Sequence, residues 1–178
     1  MIKLNNIILS RIRTLVRREK GGALAELAIM VPFLAVMLAI VTEVGRYYQT
    51  YTTLAKATRS SARYLSNHSL TNAEVSPAVS LVVCGKLTCS GGGELVKGIG
   101  TGPAIAPANV CIEATANSTI TVRIPRTNDC VPVVGVGAPA GTPYNYQTLF
   151  NIGTLMGVPS FNFALPIAPR VTMYKLSV

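Results

Sequence analysis

Between Glu26 and Glu43 lie sixteen consecutive residues without a charge, LAIMVPFLAVMLAIVT (residues 27–42). Extended back to residue 21, the segment counts 22 residues with one carboxylate inside it, enough for the roughly 20 that a bilayer-crossing helix needs. A buried core helix is the competing reading, but the rest of the chain has too little helical pattern to enclose one. The expectation is a membrane span over residues 22–43. Glu26 and Glu43 are 17 residues apart, about 26 Å at 1.5 Å per residue, close to the thickness of a bilayer core. That spacing sets Glu43 at the outer interface and Glu26 near the inner one, where an ionisable group is costly unless it finds a partner.

The charge of the chain supports this layout. A formal net charge of +9 on 178 residues invites a nucleic-acid reading, but the bases are concentrated at one end. Residues 1–21 hold six bases against one acid, and the remaining 157 residues hold ten against six. Ile2, Leu4, Ile8, Leu9, Ile12, Leu15 and Val16 are spaced helically among those bases, which suits a segment lying on an anionic membrane surface. The excess of positive charge before the span predicts a cytoplasmic N-terminus and an outer C-terminal region. No nucleic-acid partner is expected. Polar helical sequence, rather than a small-residue cleavage site, follows the apolar run, unlike an ordinary secretory signal.

The run RREKGGALAELAIMVPFLAVML (residues 17–38) resembles the class III signal of type IV prepilins and pseudopilins. In that signal cleavage follows a Gly that ends a basic leader, and a Glu stands fifth in the mature chain. Here a cut between Gly21 and Gly22 makes Glu26 the fifth residue. With Pro32 in the span and the continuation EVGRYYQTYTTLAKATRSSARYLS (residues 43–66), the chain resembles a TadE-like minor pilin of the tight-adherence (Tad) system, over residues 17–66. Leu27 stands where major pilins of that system carry Tyr, and the 157 mature residues are far more than their short chains have. The resemblance implies removal of residues 1–21 by a membrane prepilin peptidase. It also implies partnership with major and minor pilins and an inner-membrane assembly platform, membrane lipid around the span, and a periplasmic outer domain able to join an extracellular pilus. Cleavage would free an α-amino group at Gly22 with an ordinary pKa near 7.7–8.0. The resemblance assigns Glu26 to neutralising that amine on a neighbouring subunit.

Past Glu43, Val44, Tyr47, Tyr48, Tyr51, Leu54, Ala55, Thr58, Ala62 and Leu65 recur at three- and four-residue steps, predicting an amphipathic helix over residues 44–66. Its stripe is expected to pack on the chain's own outer domain, the alternative being a partner pilin; the tyrosines also suit an interfacial anchor. Residues 67–178 hold ten of the eleven prolines and twelve of the fifteen glycines. Residues 79–84, 110–116, 120–124, 131–136 and 171–178 read as strands, with a turn at Asn117-Ser118-Thr119 and long loops over residues 90–109 and 137–162. The expected fold is α+β and pilin-like: a long N-terminal helix packed against a small, loop-rich antiparallel β domain. Cys84, Cys89, Cys111 and Cys130 all fall on the side predicted to be oxidising. Proximity favours Cys84 with Cys89 and Cys111 with Cys130 among three connectivities, and the spacing fits neither a zinc ribbon nor a redox C-x-x-C.

No catalytic constellation is visible. His68 is the only histidine, and Glu74, Glu94, Glu113 and Asp129 show no paired spacing for acid/base work. Residues 135–140 fit G-x-G-x-x-A on paper, but Pro139 and the lack of a following helix make this a chance match. The expectation is an assembly protein that is not an enzyme and uses no cofactor or metal. The competing reading is an uncleaved, signal-anchored periplasmic binding module.

Overall fold

The structure is a computed structural model that describes residues 2–90, 93–97, 104–115, 118–133, 135, 137–139, 141–150 and 165–176, with side chains described from residue 22 onward. The chain divides into two units, Met1–Thr42 and Glu43–Val178. One helix, α1 (Ile2–Ser66), begins in the first and ends in the second.

Within the first unit, α1 runs through Pro32. Its large apolar side chains face outward: Leu27, Ile29, Phe33, Leu34 and Leu38 are all more than half exposed. The helix is long and apolar enough to cross a membrane, its most apolar 18-residue window having a mean hydropathy of 2.5. Thr42 returns its hydroxyl to the Leu38 and Ala39 carbonyls, so a polar side chain near the end of the uncharged run is satisfied inside the helix.

The second unit is built on the last 24 residues of α1. A five-residue connection leads to α2 (Asn72–Cys84), which packs antiparallel to α1: Ser61 donates to the Ala78 carbonyl at 2.7 Å, and Tyr64 donates its hydroxyl to Glu74. Sequence reading expected a strand over residues 79–84, and the structure corrects it. Val75, Ala78, Val79, Val82 and Val83 are all buried, a spacing of three and four that wraps one face of a helix. Thr71 in extended backbone opens α2, and Gly85 closes it at φ +67° while donating to the Leu81 carbonyl, the left-handed C-terminal stop that glycine permits. The β-branched valines hid the helical period behind a strand-like composition.

Three strands form an antiparallel sheet in the order β1 (Cys111–Thr115), β2 (Thr119–Arg123), β5 (Arg170–Tyr174). Two-residue strands β3 (Asn145–Tyr146) and β4 (Leu165–Pro166) pair beside it. The register sets Ile112, Val122 and Val171 on one rung and Ala114, Ile120 and Met173 on another, all on the same face because strand side chains alternate. That face closes one core with Leu54, Ala62 and Leu65 of α1 and the valines of α2. The opposite face carries polar groups, among them Thr121 and Thr172, whose hydroxyls share a hydrogen bond of 2.8 Å.

The fold class is thus α+β, with the outer part of α1 packed against small antiparallel sheets. Other expectations change. Residues 131–133 form no strand, although the Val133 N–H reaches the Ile112 carbonyl at 3.2 Å. Pro132 among them cannot donate to a ladder. Among the described residues, the 90–109 stretch holds one 3₁₀ turn (Pro107–Asn109) and the 137–162 stretch holds β3. Ser118 enters β2 at φ +58°, whereas Asn117, residues 134 and 136, residues 151–164 and residues 177–178 lie outside the described residues. The expected stripe of α1 is also divided. Its outer part is buried as expected at Leu54, Thr58, Ala62 and Leu65, joined by Ala57 and Ser61, whereas Val44, Tyr48 and Tyr51, nearer the uncharged run, are exposed and Glu43 is buried instead.

Candidate functional site

The expected processing junction lies on α1, with the side chains before Gly22 outside the described residues. Gly22 and Glu26 stand one helical turn apart, about 6 Å along the axis and on the same face. A Cβ added at Gly22 would meet nothing within 4 Å, and Glu26 is exposed. Both groups are therefore accessible to another molecule.

The second carboxylate sits differently. Glu43 is 5% exposed, although sequence reading treated it only as a marker of the outer interface. Its Oε2 accepts from the Tyr146 hydroxyl at 2.9 Å, and its Oε1 accepts from the Leu149 and Phe150 N–H groups at 2.7 and 2.9 Å. Arg46, one turn on, approaches the same Oε1 at 3.9 Å. Three donors and a nearby cation offset the cost of burying a carboxylate. Tyr146 in turn meets the edge of the Tyr47 ring, with centroids 5.6 Å apart and planes at 89°. Burial, then the Glu43 carboxylate, push the Tyr146 phenol up to about 12.

A third cluster surrounds the disulfide between Cys111 of β1 and Cys130, whose Cα atoms are 5.9 Å apart. The Arg123 guanidinium donates from Nε and Nη2 to Glu113 Oε1 at 3.1 and 2.6 Å, and from Nη1 to both Asp129 oxygens at 3.1 and 3.2 Å. Its Nη2 also reaches the Asp129 carbonyl, and the Val131 N–H donates to Glu113. Burial alone would raise the Glu113 carboxyl, but these donors and the guanidinium charge hold it below its ordinary value. Gly141 closes over the same bridge at φ +67°: a Cβ there would stand 2.7 Å from Cys130 Cβ and 2.8 Å from Cys111 Cβ.

Cys111, Glu113 and Cys130 bring their ligand atoms within 4.8 Å of one another, a spacing that could hold a metal. Both sulfurs are committed to the disulfide and Glu113 to Arg123, so the donor set lacks the thiolates that a metal would use. Cys84 and Cys89 are joined as well, tying the end of α2 to the turn that follows it, with Cα atoms 5.7 Å apart. Glu26 belongs to the first unit, and the clusters around Glu43, Arg123 and the two disulfides belong to the second.

Residues 21–63 match the family model described as TadE-like protein. Over this N-terminal region the chain is similar to that family. The matched region opens at the Gly21-Gly22 pair, includes Glu26 and Glu43, and ends within the outer part of α1. No curated protein and no solved structure matches the chain. The match thus covers about a quarter of the sequence and leaves α2 and strands β1–β5 of the described residues beyond it.

Proposed function

We propose that this TadE-like chain is a minor pilin of a Tad-type pilus, processed between Gly21 and Gly22 and taking part in pilus assembly for surface adhesion. The observation that carries the reading is the Gly21-Gly22 pair with Glu26 four residues on, at the start of the TadE-like region and of an apolar helix long enough to cross a membrane. In this reading the basic leader stays on the cytoplasmic side, where prepilin peptidase removes it, and the apolar helix survives as the stored form's anchor. The new amine at Gly22 pairs with Glu26 of a neighbouring pilin. A carboxylate in an apolar medium is costly alone and favourable when paired, so the pair sets the register between subunits. The disulfide-bonded unit beyond Glu43 is carried outside, to the periplasm or the pilus surface, and the inner-membrane platform drives assembly.

The N-terminus of the protein recovered from cells with active prepilin peptidase tests this. Mass spectrometry is expected to find a chain beginning at Gly22 and lacking residues 1–21. An intact Met1 in those cells would overturn the pilin reading in favour of an uncleaved, signal-anchored module. Normal co-assembly of Glu26→Gln with other pilins would remove Glu26 from the proposed role while leaving processing intact.

A further inference from the structure

The Glu43 cluster fixes more than its own carboxylate. By accepting the main-chain N–H groups of Leu149 and Phe150, Glu43 holds that turn against α1 at the first residue beyond the uncharged run. Both side chains of the turn remain outward, Leu149 52% and Phe150 45% exposed. On α1 itself Val44, Tyr48 and Tyr51, spaced at four and three residues, are likewise exposed. Five apolar or aromatic side chains therefore stand exposed, three over the two turns of α1 that follow Glu43 and two in the turn that Glu43 holds. The only charges on α1 between Thr42 and Lys56 are Glu43 and Arg46, which lie 3.9 Å apart.

We propose that the Leu149–Phe150 turn is a second membrane contact, inserting both side chains into the headgroup layer of the leaflet from which α1 emerges. The proposal rests on reading α1 as a membrane span. A bilayer that takes up residues 27–42 brings its interfacial layer to Glu43, and Val44 and Tyr48 lie about 1.5 and 7.5 Å beyond Glu43 along the axis. That is the depth of a headgroup layer roughly 5–8 Å thick. Aromatic side chains favour this layer because it is apolar on one side and wet on the other. Glu43 makes the placement affordable: its carboxylate is satisfied by protein donors, so the turn meets lipid without exposing an unpaired charge. Continuity with the apolar run selects lipid over a second copy of the chain as the occupant.

The sequence contains no tryptophan, so one substitution gives a sole indole reporter. The full chain would be reconstituted in phosphatidylethanolamine/phosphatidylglycerol vesicles doped with phosphatidylcholine brominated near the glycerol end of its chains. Phe150→Trp and Leu149→Trp keep the N–H groups that bind Glu43. Both are expected to show at least about twofold more quenching than Tyr174→Trp, independent of the protein-to-lipid ratio, as for an interfacial aromatic; Tyr174 is an exposed residue of β5. Quenching no greater than in Tyr174→Trp would overturn the proposal, as would protection that grows with protein density and so reports a second copy. Leu34→Trp separates the two readings. If it is quenched by chain-centre bromines while the turn variants are not, only the second contact fails; if it is not quenched, the span reading fails and takes this inference with it.

Discussion

The two halves of α1 obey different rules. Before Glu43 its large apolar side chains face outward, and its character is set by the medium it suits. After Glu43 the same helix buries Leu54, Ala57, Thr58, Ser61, Ala62 and Leu65 against named partners. A membrane asks only for apolar composition over a sufficient length, whereas a packed core asks for shape at each position. Stability of the outer unit should therefore respond to single atoms there and be indifferent to the span. All seven tyrosines lie beyond Glu43 and the chain has no tryptophan, so near-ultraviolet circular dichroism of the full chain in detergent micelles reads out the outer unit in a urea titration.

The largest effect is expected at Gly141. Gly141→Ala drives a Cβ against both cysteine Cβ atoms at under 3 Å and demands a left-handed backbone of an L side chain. Together these should cost about 4 kcal/mol, at the upper end for single substitutions. Next comes a matched pair within α1. Leu54 is fully buried and Leu34 is 61% exposed, so Leu54→Ala should destabilise the outer unit by about 3 kcal/mol through the cavity it leaves, and Leu34→Ala should leave the urea midpoint unmoved. An equal shift for both would erase the distinction between the halves.

The two carboxylates flanking the uncharged run sharpen it further. Glu43→Leu strands the Tyr146 hydroxyl and two N–H groups, an expected loss of about 2 kcal/mol in the outer unit. Glu26→Leu, on an exposed position in the first unit, should leave that stability unchanged and act only on assembly. A stability loss from Glu26→Leu as large as that from Glu43→Leu would show that both residues serve the fold.

What could be read from the sequence follows the same division. The span was legible because lipid selects composition, and the sheet was legible in part because Ile112, Ile120, Val122, Val171 and Met173 alternate with polar residues. Helix α2 was misread because its C-terminal half, VSLVVC, is β-branched and apolar like a buried strand. Its helical signal lay in the spacing of Val75, Ala78, Val79, Val82 and Val83, with Gly85 as the stop. Nothing local could reveal the role of Glu43, since its three hydrogen-bond donors lie 103 to 107 residues away. Nor could the sequence separate the partly buried Tyr47 from the exposed Tyr48 and Tyr51 of α1, because all three share the helical period.

The smallest predicted effect separates the halves by pH. In the outer unit Glu113 is held below its ordinary value of 4.5 by Arg123 and the Val131 N–H, against the upward push of burial. A depressed carboxyl contributes stability that is complete above its unfolded value and is lost as pH falls through the lower folded value. The outer unit should therefore lose stability as pH drops below about 4.5, by about 1 kcal/mol from Glu113, a figure kept small because solvent screens such a partly exposed pair. Arg123→Met should flatten that acid slope and lower the stability at neutral pH, since Glu113 and Asp129 then lose their shared guanidinium. The helical signal of the span should persist through the same acid titration. Its one carboxylate, Glu26, is exposed and belongs to no core, so an acid loss of helix in residues 22–42 in parallel with the outer unit would show that the two units unfold as one.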